Sequence, residues 1–418
     1  MSQPIACRPF GRVVAVALLG VTPALAAPAA PPVPPPEVLP PTSIVEAIPP
    51  VPAPPPPAPA EAGLAAPSKL LEAEVGTRLG LRLQNPSHQD QLDDVGLDGQ
   101  VQLLLSGQAT RRILWQADFV ATFGTVAPGS RVDASGADNP AGRYDTSGSA
   151  AVLDLIVRLE LHDAFNLWVG RMLVPADRSG LSTEWSIAPW LFPGQFIGDA
   201  APVGARQGPH GRSDGATLWG QLGGGTFKYY LGTFNLADPN QSPLFSGRLS
   251  LSVLNPEPGY RNASTYYGRK DVLGLGVGFQ HQHNGWTNST TNPATAWSDL
   301  TELNFDLLFE KNLGLAGVLD LEGAFYKIWG RYAPASLSYF FLVSYLLPIE
   351  IGVGRFQLLF RLQQASDRAT GDKDALADAQ LGYVIDGLRA RVALDYQYSK
   401  VWAQPGNALL LGLQLMTR

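Results

Sequence analysis

The sequence predicts an all-β fold, a transmembrane antiparallel β-barrel of 16 strands. Three observations carry this prediction: an N-terminal export signal, a low share of charged residues, and segments of about ten residues in which apolar and polar side chains alternate. Residues 68–418 are predicted to form the barrel, behind a signal peptide and a proline-rich linker.

Composition excludes several classes of protein. Charged residues make up 16% of the 418 residues, against roughly 25% in a typical soluble protein. The 30 basic and 36 acidic side chains give a net charge of −6, which argues against a nucleic-acid-binding protein. Cys7 is the single cysteine, so disulfide frameworks and cysteine-based metal or redox motifs are excluded.

The first 26 residues are predicted to be a signal peptide. Arg8 and Arg12 give a basic start without acids, and Val13–Leu19 supplies an apolar core. Ala24–Ala26 has the small-x-small pattern of a cleavage site, so we expect cleavage before Ala27. The apolar core is shorter than the roughly 20 residues that a membrane-spanning helix needs.

Residues 27–67 are predicted to be a disordered, proline-rich linker in the periplasm. Prolines recur from Pro28 to Pro67, mixed with Ala, Val and Glu. Such a run lacks the amide donors of helices and sheets, which favours an extended, solvated spacer. The linker could contact the cell wall or act as a tether without a partner, and the sequence does not decide between the two.

Beyond the linker, apolar and polar residues alternate with the period of a β-strand. In Leu388–Lys400 the residues of one face are mainly Leu, Val and Tyr, and those of the other include Arg, Asp and Gln. Gly354–Gln364 and Glu302–Glu310 show the same pattern. In an exported chain with few charges, this alternation favours strands with one face toward lipid and the other toward water.

Sixteen such segments follow one another along the chain. The first eight predicted strands are Leu71–Gln84, Leu97–Ser106, Arg112–Phe123, Val152–His162, Phe165–Val174, Ala216–Leu222, Thr226–Phe234 and Arg248–Leu254. The last eight are Val272–His281, Thr301–Glu310, Leu315–Tyr326, Tyr339–Leu347, Gly354–Gln364, Ala379–Ile385, Leu388–Ser399 and Ala408–Met416. An even number is typical of single-chain bacterial barrels.

The connections between predicted strands alternate in length. Those after strands 2, 4, 6, 10 and 14 are very short, and those after odd-numbered strands are mostly longer, above all Pro175–Gly215. Short periplasmic turns and long external loops are typical of outer-membrane barrels, which predicts that both termini are periplasmic. The connection Asn255–Asp271, after the eighth strand, is too long for an ordinary turn, and the pattern offers no explanation for it.

Three stretches of the sequence resemble the phosphate-selective porin (O and P type) family of Gram-negative outer membranes. They are Asn166–Pro175, which reads NLWVGRMLVP, Ser213–Gly220, which reads SDGATLWG, and the segment from Gly247 to Pro256. The resemblance implies a homotrimeric channel in the outer-membrane lipid for passive diffusion of small hydrophilic solutes or ions, including anions such as phosphate. It also implies that the long third external loop folds into the lumen.

Charges on the faces predicted to point inward nearly balance, so they do not support an anion preference. The candidate constriction and ion-binding residues are Arg178, Arg206 and Arg212 of the long loop, which either attract anions or pair with acids of the same loop. The basic residues predicted to line the pore are Arg158, Arg248, Arg355, Arg361, Arg389 and Arg391.

Other functions find little support in the residues. No Gly-x-Ser-x-Gly motif, Gly-rich phosphate loop or His-Glu-x-x-His motif is present, and we expect no enzyme activity and no cofactor. We also expect no metal site, because His281 and His283 have no Cys or third His nearby in sequence. Trp185 and Trp190 in the long loop could line the pore or pack the loop against the wall. The alternatives to a porin are an outer-membrane hydrolase, which would need a Ser or Asp placed by a His on the barrel wall, a structural or adhesive barrel with a closed pore, and a soluble secreted β-protein.

Overall fold

The computed structural model describes residues 71–85, 94–126, 145–183, 185–194, 211–235, 242–287, 296–368, 370–401 and 404–417. The predicted signal peptide and linker lie outside the described residues. By its internal contacts the chain divides into two compact units, Met1–Gly63 and Leu64–Arg418. Every described residue belongs to the second unit.

Sixteen antiparallel strands form a closed barrel, in which neighbours in sequence are paired and β1 pairs with β16. The predicted fold class and strand number are confirmed. The strands are β1 (Glu72–Asn85), β2 (Asp94–Thr110), β3 (Ile113–Val126), β4 (Asp145–His162), β5 (Phe165–Leu173), β6 (Arg212–Leu222), β7 (Phe227–Asn235), β8 (Leu244–Ser252), β9 (Val272–Thr287), β10 (Trp297–Asn312), β11 (Val318–Trp329), β12 (Ala335–Ile351), β13 (Gly354–Asp367), β14 (Lys373–Asp386), β15 (Ala390–Val401) and β16 (Gln404–Met416). Among the described residues, no helix has the length and apolarity needed to cross a membrane.

The barrel wall is apolar outside and polar inside. On β13, Leu358 and Phe360 point outward and are 54% and 45% exposed, whereas Gln357 and Arg361 point inward and are 2% and 0% exposed. A soluble protein places its side chains the other way round. The apolar exterior and polar interior follow directly from the period-two alternation in the sequence, because successive strand residues face opposite sides.

The two ends of the barrel differ in how the strands are connected. At the short-turn end, residues 111–112, 163–164 and 352–353 each join two strands. Gly352 in one of these turns has a φ of 67°, a backbone conformation that other residues rarely adopt. The long-loop end carries residues 127–144 and 174–211. One connection at the short-turn end is an exception, since residues 253–271 separate β8 from β9.

Candidate functional site

The interior of the barrel holds two chain segments that enter from opposite ends. The inner loop, residues 174–211 between β5 and β6, enters from the long-loop end, and its residues 174–183, 185–194 and 211 are described. The inner turn, residues 253–271 between β8 and β9, enters from the short-turn end. The inner loop is the third connection at its end, so the expected inward fold of the third loop is confirmed for its described residues.

The start of the inner loop is anchored to the walls of β8 and β11. The Ser246 hydroxyl donates a hydrogen bond to the carbonyl of Pro175 (2.7 Å). The Asp177 carboxylate accepts hydrogen bonds from the Tyr326 hydroxyl and from the amide of Gly180 (2.7 Å). Burial raises the pKa of the Asp177 carboxyl, although the hydrogen bond from Tyr326 acts in the opposite direction.

A row of glycines on β9 lets the inner loop approach the wall closely. Gly274, Gly276 and Gly278 share the inward face of the strand because they alternate in sequence. A Cβ atom on Gly278 would lie 2.0 Å from the carbonyl oxygen of Ala176, and one on Gly274 would lie 2.3 Å from Nη2 of Arg178. The missing side chains therefore make the space that the loop backbone and Arg178 occupy.

Two tryptophans of the inner loop pack against β1, β2 and β16. The indole of Trp185 donates a hydrogen bond to the side chain of Gln102. The indole ring of Trp190 lies 4.3 Å from the guanidinium carbon of Arg78, and Nη2 of Arg78 donates to the Trp190 carbonyl (2.7 Å). Of the two alternatives for these residues, the contacts favour packing of the loop against the wall.

The inner turn inserts an aromatic side chain into the barrel. The Tyr260 ring is stacked on Trp168 at a centroid distance of 4.4 Å, and it meets Trp219 and Tyr230 edge-on at 5.6 and 5.2 Å. Its hydroxyl donates a hydrogen bond to the carbonyl of Leu173 (2.9 Å). Stacked and edge-on aromatic pairs each contribute about 0.5–1.5 kcal/mol beyond the burial of their area.

Charged and polar groups fix the rest of the inner turn. The Arg261 guanidinium donates to the carboxylates of Asp154 (2.6 Å) and Asp118 (3.3 Å) on neighbouring strands. Lys228 donates to Asn262 (2.8 Å). On the opposite wall, the Glu310 carboxylate accepts hydrogen bonds from the Thr265 hydroxyl and from two backbone amides of the turn.

The two segments also bind each other inside the barrel. The amides of Asn262 and Ser264 donate to inner-loop carbonyls at 3.0 and 2.9 Å. The Arg178 guanidinium forms a two-bond ion pair with the Glu257 carboxylate. Burial alone would raise the pKa of Glu257, but the charge of Arg178 and the hydrogen bond from Tyr266 hold it well below its usual range.

Between them, the inner loop and the inner turn contact every strand of the barrel. In strand order, the wall residues that touch them include Arg78, Gln102, Asp118, Asp154, Trp168, Trp219, Lys228, Arg248, Gly274, Asp306, Tyr326, Leu342, Arg361, Gln380, Arg391 and Gln414. All of them that have side chains are buried. The middle of the lumen is therefore occupied by protein in this conformation.

The candidate ion-binding arginines have buried partners. Arg178 is paired with Glu257, and Arg212 lies 3.3 Å from the carboxylate of Asp154. Neither partner belongs to the inner loop, so the described pairs differ from the pairing within the loop that the sequence suggested. Arg206 lies outside the described residues. Anion binding by these three arginines stays a prediction.

The arginines predicted to line the pore divide into three groups. Arg248, Arg361 and Arg391 face the interior and donate hydrogen bonds to carbonyls of the inner loop. Arg158 and Arg355 lie near the short-turn end, on the strand faces that point inward. Arg389 requires a correction, because β15 begins only at Ala390. Arg389 lies in the preceding turn, 3.8 Å from Asp386.

Sequence reasoning missed the inner turn as a component of the lumen. Two features of the sequence could have indicated it: the length of the connection at an end with two-residue turns, and the alternating glycines Gly274, Gly276 and Gly278, which mark a close backbone approach. The partners of Arg261 could not be found locally, since Asp118 and Asp154 lie 143 and 107 residues away in sequence.

The two histidines singled out in the sequence lie on β9, near the long-loop end. His283 pairs with Asp299 (2.7 Å), and His281 is 3.0 Å from the hydroxyl of Thr301. In the part of the chain that the structure describes, no group of three or more His, Cys, Asp or Glu side chains is arranged to hold a metal ion.

Comparisons with known proteins identify the fold. No family model matches the chain, and no curated protein matches it. The solved structures that resemble it include OprB of Pseudomonas putida at high pH (TM-score 0.52, 10% identity, 83% of this chain and 94% of that chain). A second is the loop L8 deletion mutant of OmpT, an outer membrane protein of Vibrio cholerae (TM-score 0.51, 12% identity, 83% of this chain and 99% of that chain). A third is OmpF of Salmonella typhi in complex with daunomycin (TM-score 0.50, 10% identity, 83% of this chain and 97% of that chain). At these identities the likeness shows the fold alone, and membership of the phosphate-selective porin family stays a prediction.

Proposed function

We propose that this chain is an outer-membrane barrel of the porin type, which provides a path for passive diffusion of small hydrophilic solutes or ions. The observation that carries the proposal is the polar interior behind an apolar exterior, seen on β13 and repeated around the wall. Barrels of sixteen to eighteen strands are wide enough to leave an aqueous channel. The polar wall would be costly to build around a dry core.

The same proposal includes the location and assembly of the protein. The exposed apolar side chains of the exterior suit the lipid of a Gram-negative outer membrane. Short turns are typical of the periplasmic end of such barrels, so the proposal includes a periplasmic position for the start of β1 and the end of β16, which lie at the short-turn end. Homotrimeric assembly, which the sequence resemblance implies, belongs to the proposal as well.

We include no anion preference in this proposal. Selectivity for anions such as phosphate needs cationic side chains at the constriction that carboxylates do not neutralise. Arg178 and Arg212 are each paired with a buried carboxylate, and Arg248 is paired with Asp306.

A second candidate function is a structural or adhesive barrel with a permanently closed pore. It is favoured by one observation, the contact of the inner loop and the inner turn with every strand. The proline-rich linker would then be the functional segment of the protein, and it would act by contact with the cell wall. The two candidates differ in a measurable way, because a permanently closed barrel conducts no ions even when it is inserted in a membrane.

Single-channel conductance tests the proposal. The chain without residues 1–26 is refolded in detergent and inserted into a planar bilayer under a salt gradient, with insertion checked by protease protection. We expect discrete but infrequent current steps, since the inner turn has to move for ions to pass. Inserted protein that never conducts, even after the inner turn is removed, would contradict the porin proposal and support the closed barrel.

A further inference from the structure

A cavity lies beside the inner turn, near the short-turn end of the barrel. We call it the vestibule cavity. It has a volume of about 690 Å³, and it is bounded by β3 to β6 and by residues 258–261 of the inner turn. Cavities of about 300–1,000 Å³ commonly bind small molecules. Uncharged amide side chains contribute to its wall from three strands, Gln116 on β3, Asn166 on β5 and Gln221 on β6.

Three amide side chains of the wall are held in place by one hydrogen bond each. Nε2 of Gln116 donates to Asp118 (3.0 Å), Nδ2 of Asn166 donates to the carbonyl of Asp163 (3.3 Å), and Oε1 of Gln221 accepts from the amide of Gly259 (2.9 Å). The other polar atom of each amide has no partner among the described residues. The cavity therefore presents two oriented acceptors and one oriented donor.

The charged groups around the cavity are mostly neutralised by their own partners. Arg158 donates to Glu160 (3.0 Å), and Arg261 is paired with Asp154. Arg111 and Asp163 lie on exposed turns at the rim and have opposite charges. An ionic ligand would gain little from paired charges, whereas a neutral ligand with several hydroxyl groups matches a mixture of amide donors and acceptors.

We propose that the vestibule cavity is a binding site for a neutral, polyhydroxylated solute of the size of a mono- or disaccharide. Trp168 and Trp219 contribute apolar surface to the wall, against which the C–H groups of such a ring can pack. The inference deepens the proposed function, because it names a class of solute. It rests on that function only in one respect, namely that the solute reaches the cavity by diffusion through the barrel. Binding at equilibrium does not require the barrel to conduct.

Equilibrium titration tests this site on the folded full barrel. Maltose is titrated against the protein in an amine-oxide detergent, which has no sugar headgroup, and the fluorescence of the tryptophans reports binding. Gluconate and inorganic phosphate are titrated in parallel as charged probes. We expect saturable binding of maltose and at least roughly tenfold weaker binding of both anions, because the anions meet only paired charges. The absence of saturable maltose binding, or tighter binding of either anion, would overturn the proposal.

Matched variants locate the binding. Asn166→Ala and Gln221→Ala each remove one oriented polar group, and each is expected to weaken maltose binding roughly tenfold, the effect of about 1.4 kcal/mol. Gln364→Ala removes an amide near the long-loop end, where it accepts from Tyr339, and should leave the affinity unchanged. Equal weakening by all three variants would overturn the assignment to the vestibule cavity. Conductance of the same preparations is recorded separately, so a silent barrel that binds maltose contradicts only the porin function.

Discussion

Arg178 and Glu257 form an ion pair in the lumen, and each residue is only 3% exposed. The two residues reach this position from opposite ends of the barrel, Arg178 on the inner loop and Glu257 on the inner turn. The pair therefore connects the segments that close the lumen. Because both charges are buried, the loss of one partner would leave the other without compensation.

Neutralising Glu257 should weaken the binding of the inner turn to the inner loop inside the barrel. In Glu257→Gln the Arg178 charge is left buried without a carboxylate, so we expect a loss of about 3–5 kcal/mol in the free energy of unfolding. Urea unfolding of the protein in lipid vesicles measures it. Current steps in a planar bilayer should also become more frequent.

Asp271→Asn is the matched control for this change. Asp271 pairs with Lys311 at the base of the same inner turn, but the two side chains are 26% and 44% exposed. An exposed pair contributes only about 0–1 kcal/mol. A loss in Asp271→Asn as large as the loss in Glu257→Gln would show that burial of the Arg178 pair has no special importance.

The contribution of Glu257 should depend on pH in a defined direction. Burial alone would raise the pKa of this carboxyl, but Arg178 and Tyr266 lower it in the folded protein. Its stabilisation is therefore complete above the pKa of the unfolded chain, about 4.3, and is lost as the pH falls through the lower folded-state pKa.

The measurement is the difference in unfolding free energy between the wild type and Glu257→Gln, taken from pH 8 downward. Other titrating groups are common to both proteins, so the difference isolates Glu257. It should stay constant down to about pH 4.5 and then decrease. A difference that grows on acidification would contradict the assigned direction of the pKa shift.

The close contact between β9 and the inner loop predicts the effect of a single methyl group. In Gly278→Ala the new Cβ would lie 2.0 Å from the carbonyl oxygen of Ala176, so the loop has to move away. We expect a destabilisation of about 1–3 kcal/mol, typical of overpacking. Gly247→Ala on β8 is the control, because its Cβ would meet its nearest neighbour at 3.6 Å, an ordinary contact. Equal urea midpoints for the two variants would refute this explanation of the glycine row.

The sequence was informative about the wall for a physical reason. A strand between an apolar exterior and a polar interior has to alternate, as Leu358 and Arg361 illustrate. The alternation in a segment of about ten residues therefore shows which side chains belong to which face. The pairing of the strands that a short turn joins, such as β4 with β5 across residues 163–164, then follows from that turn. Even the error at Arg389 is one of strand boundary, where local patterns carry least information.

The contents of the lumen follow from contacts that no local pattern contains. Tyr260 is stacked on Trp168, which lies on a strand far away in sequence, and Arg178 finds Glu257 rather than an acid of its own loop. The long connection 253–271 was visible in the sequence. Its path into the barrel was not, because the residues that receive it are spread over many strands.

Removal of the inner turn should open the barrel. Replacing residues 253–271 with Asn-Gly gives β8 and β9 a two-residue connection like those at residues 163–164 and 352–353. The variant loses Tyr260 from its aromatic partners and Arg261 from Asp118 and Asp154. We expect conductance to rise from near silence to the stable steps of an open aqueous channel, of the kind that sixteen to eighteen strands leave. The same replacement of residues 313–317, where Leu315 is fully exposed, should leave the conductance unchanged. If both replacements insert and neither conducts, the inner turn is not the part that controls passage, and the porin proposal is contradicted in favour of the closed barrel.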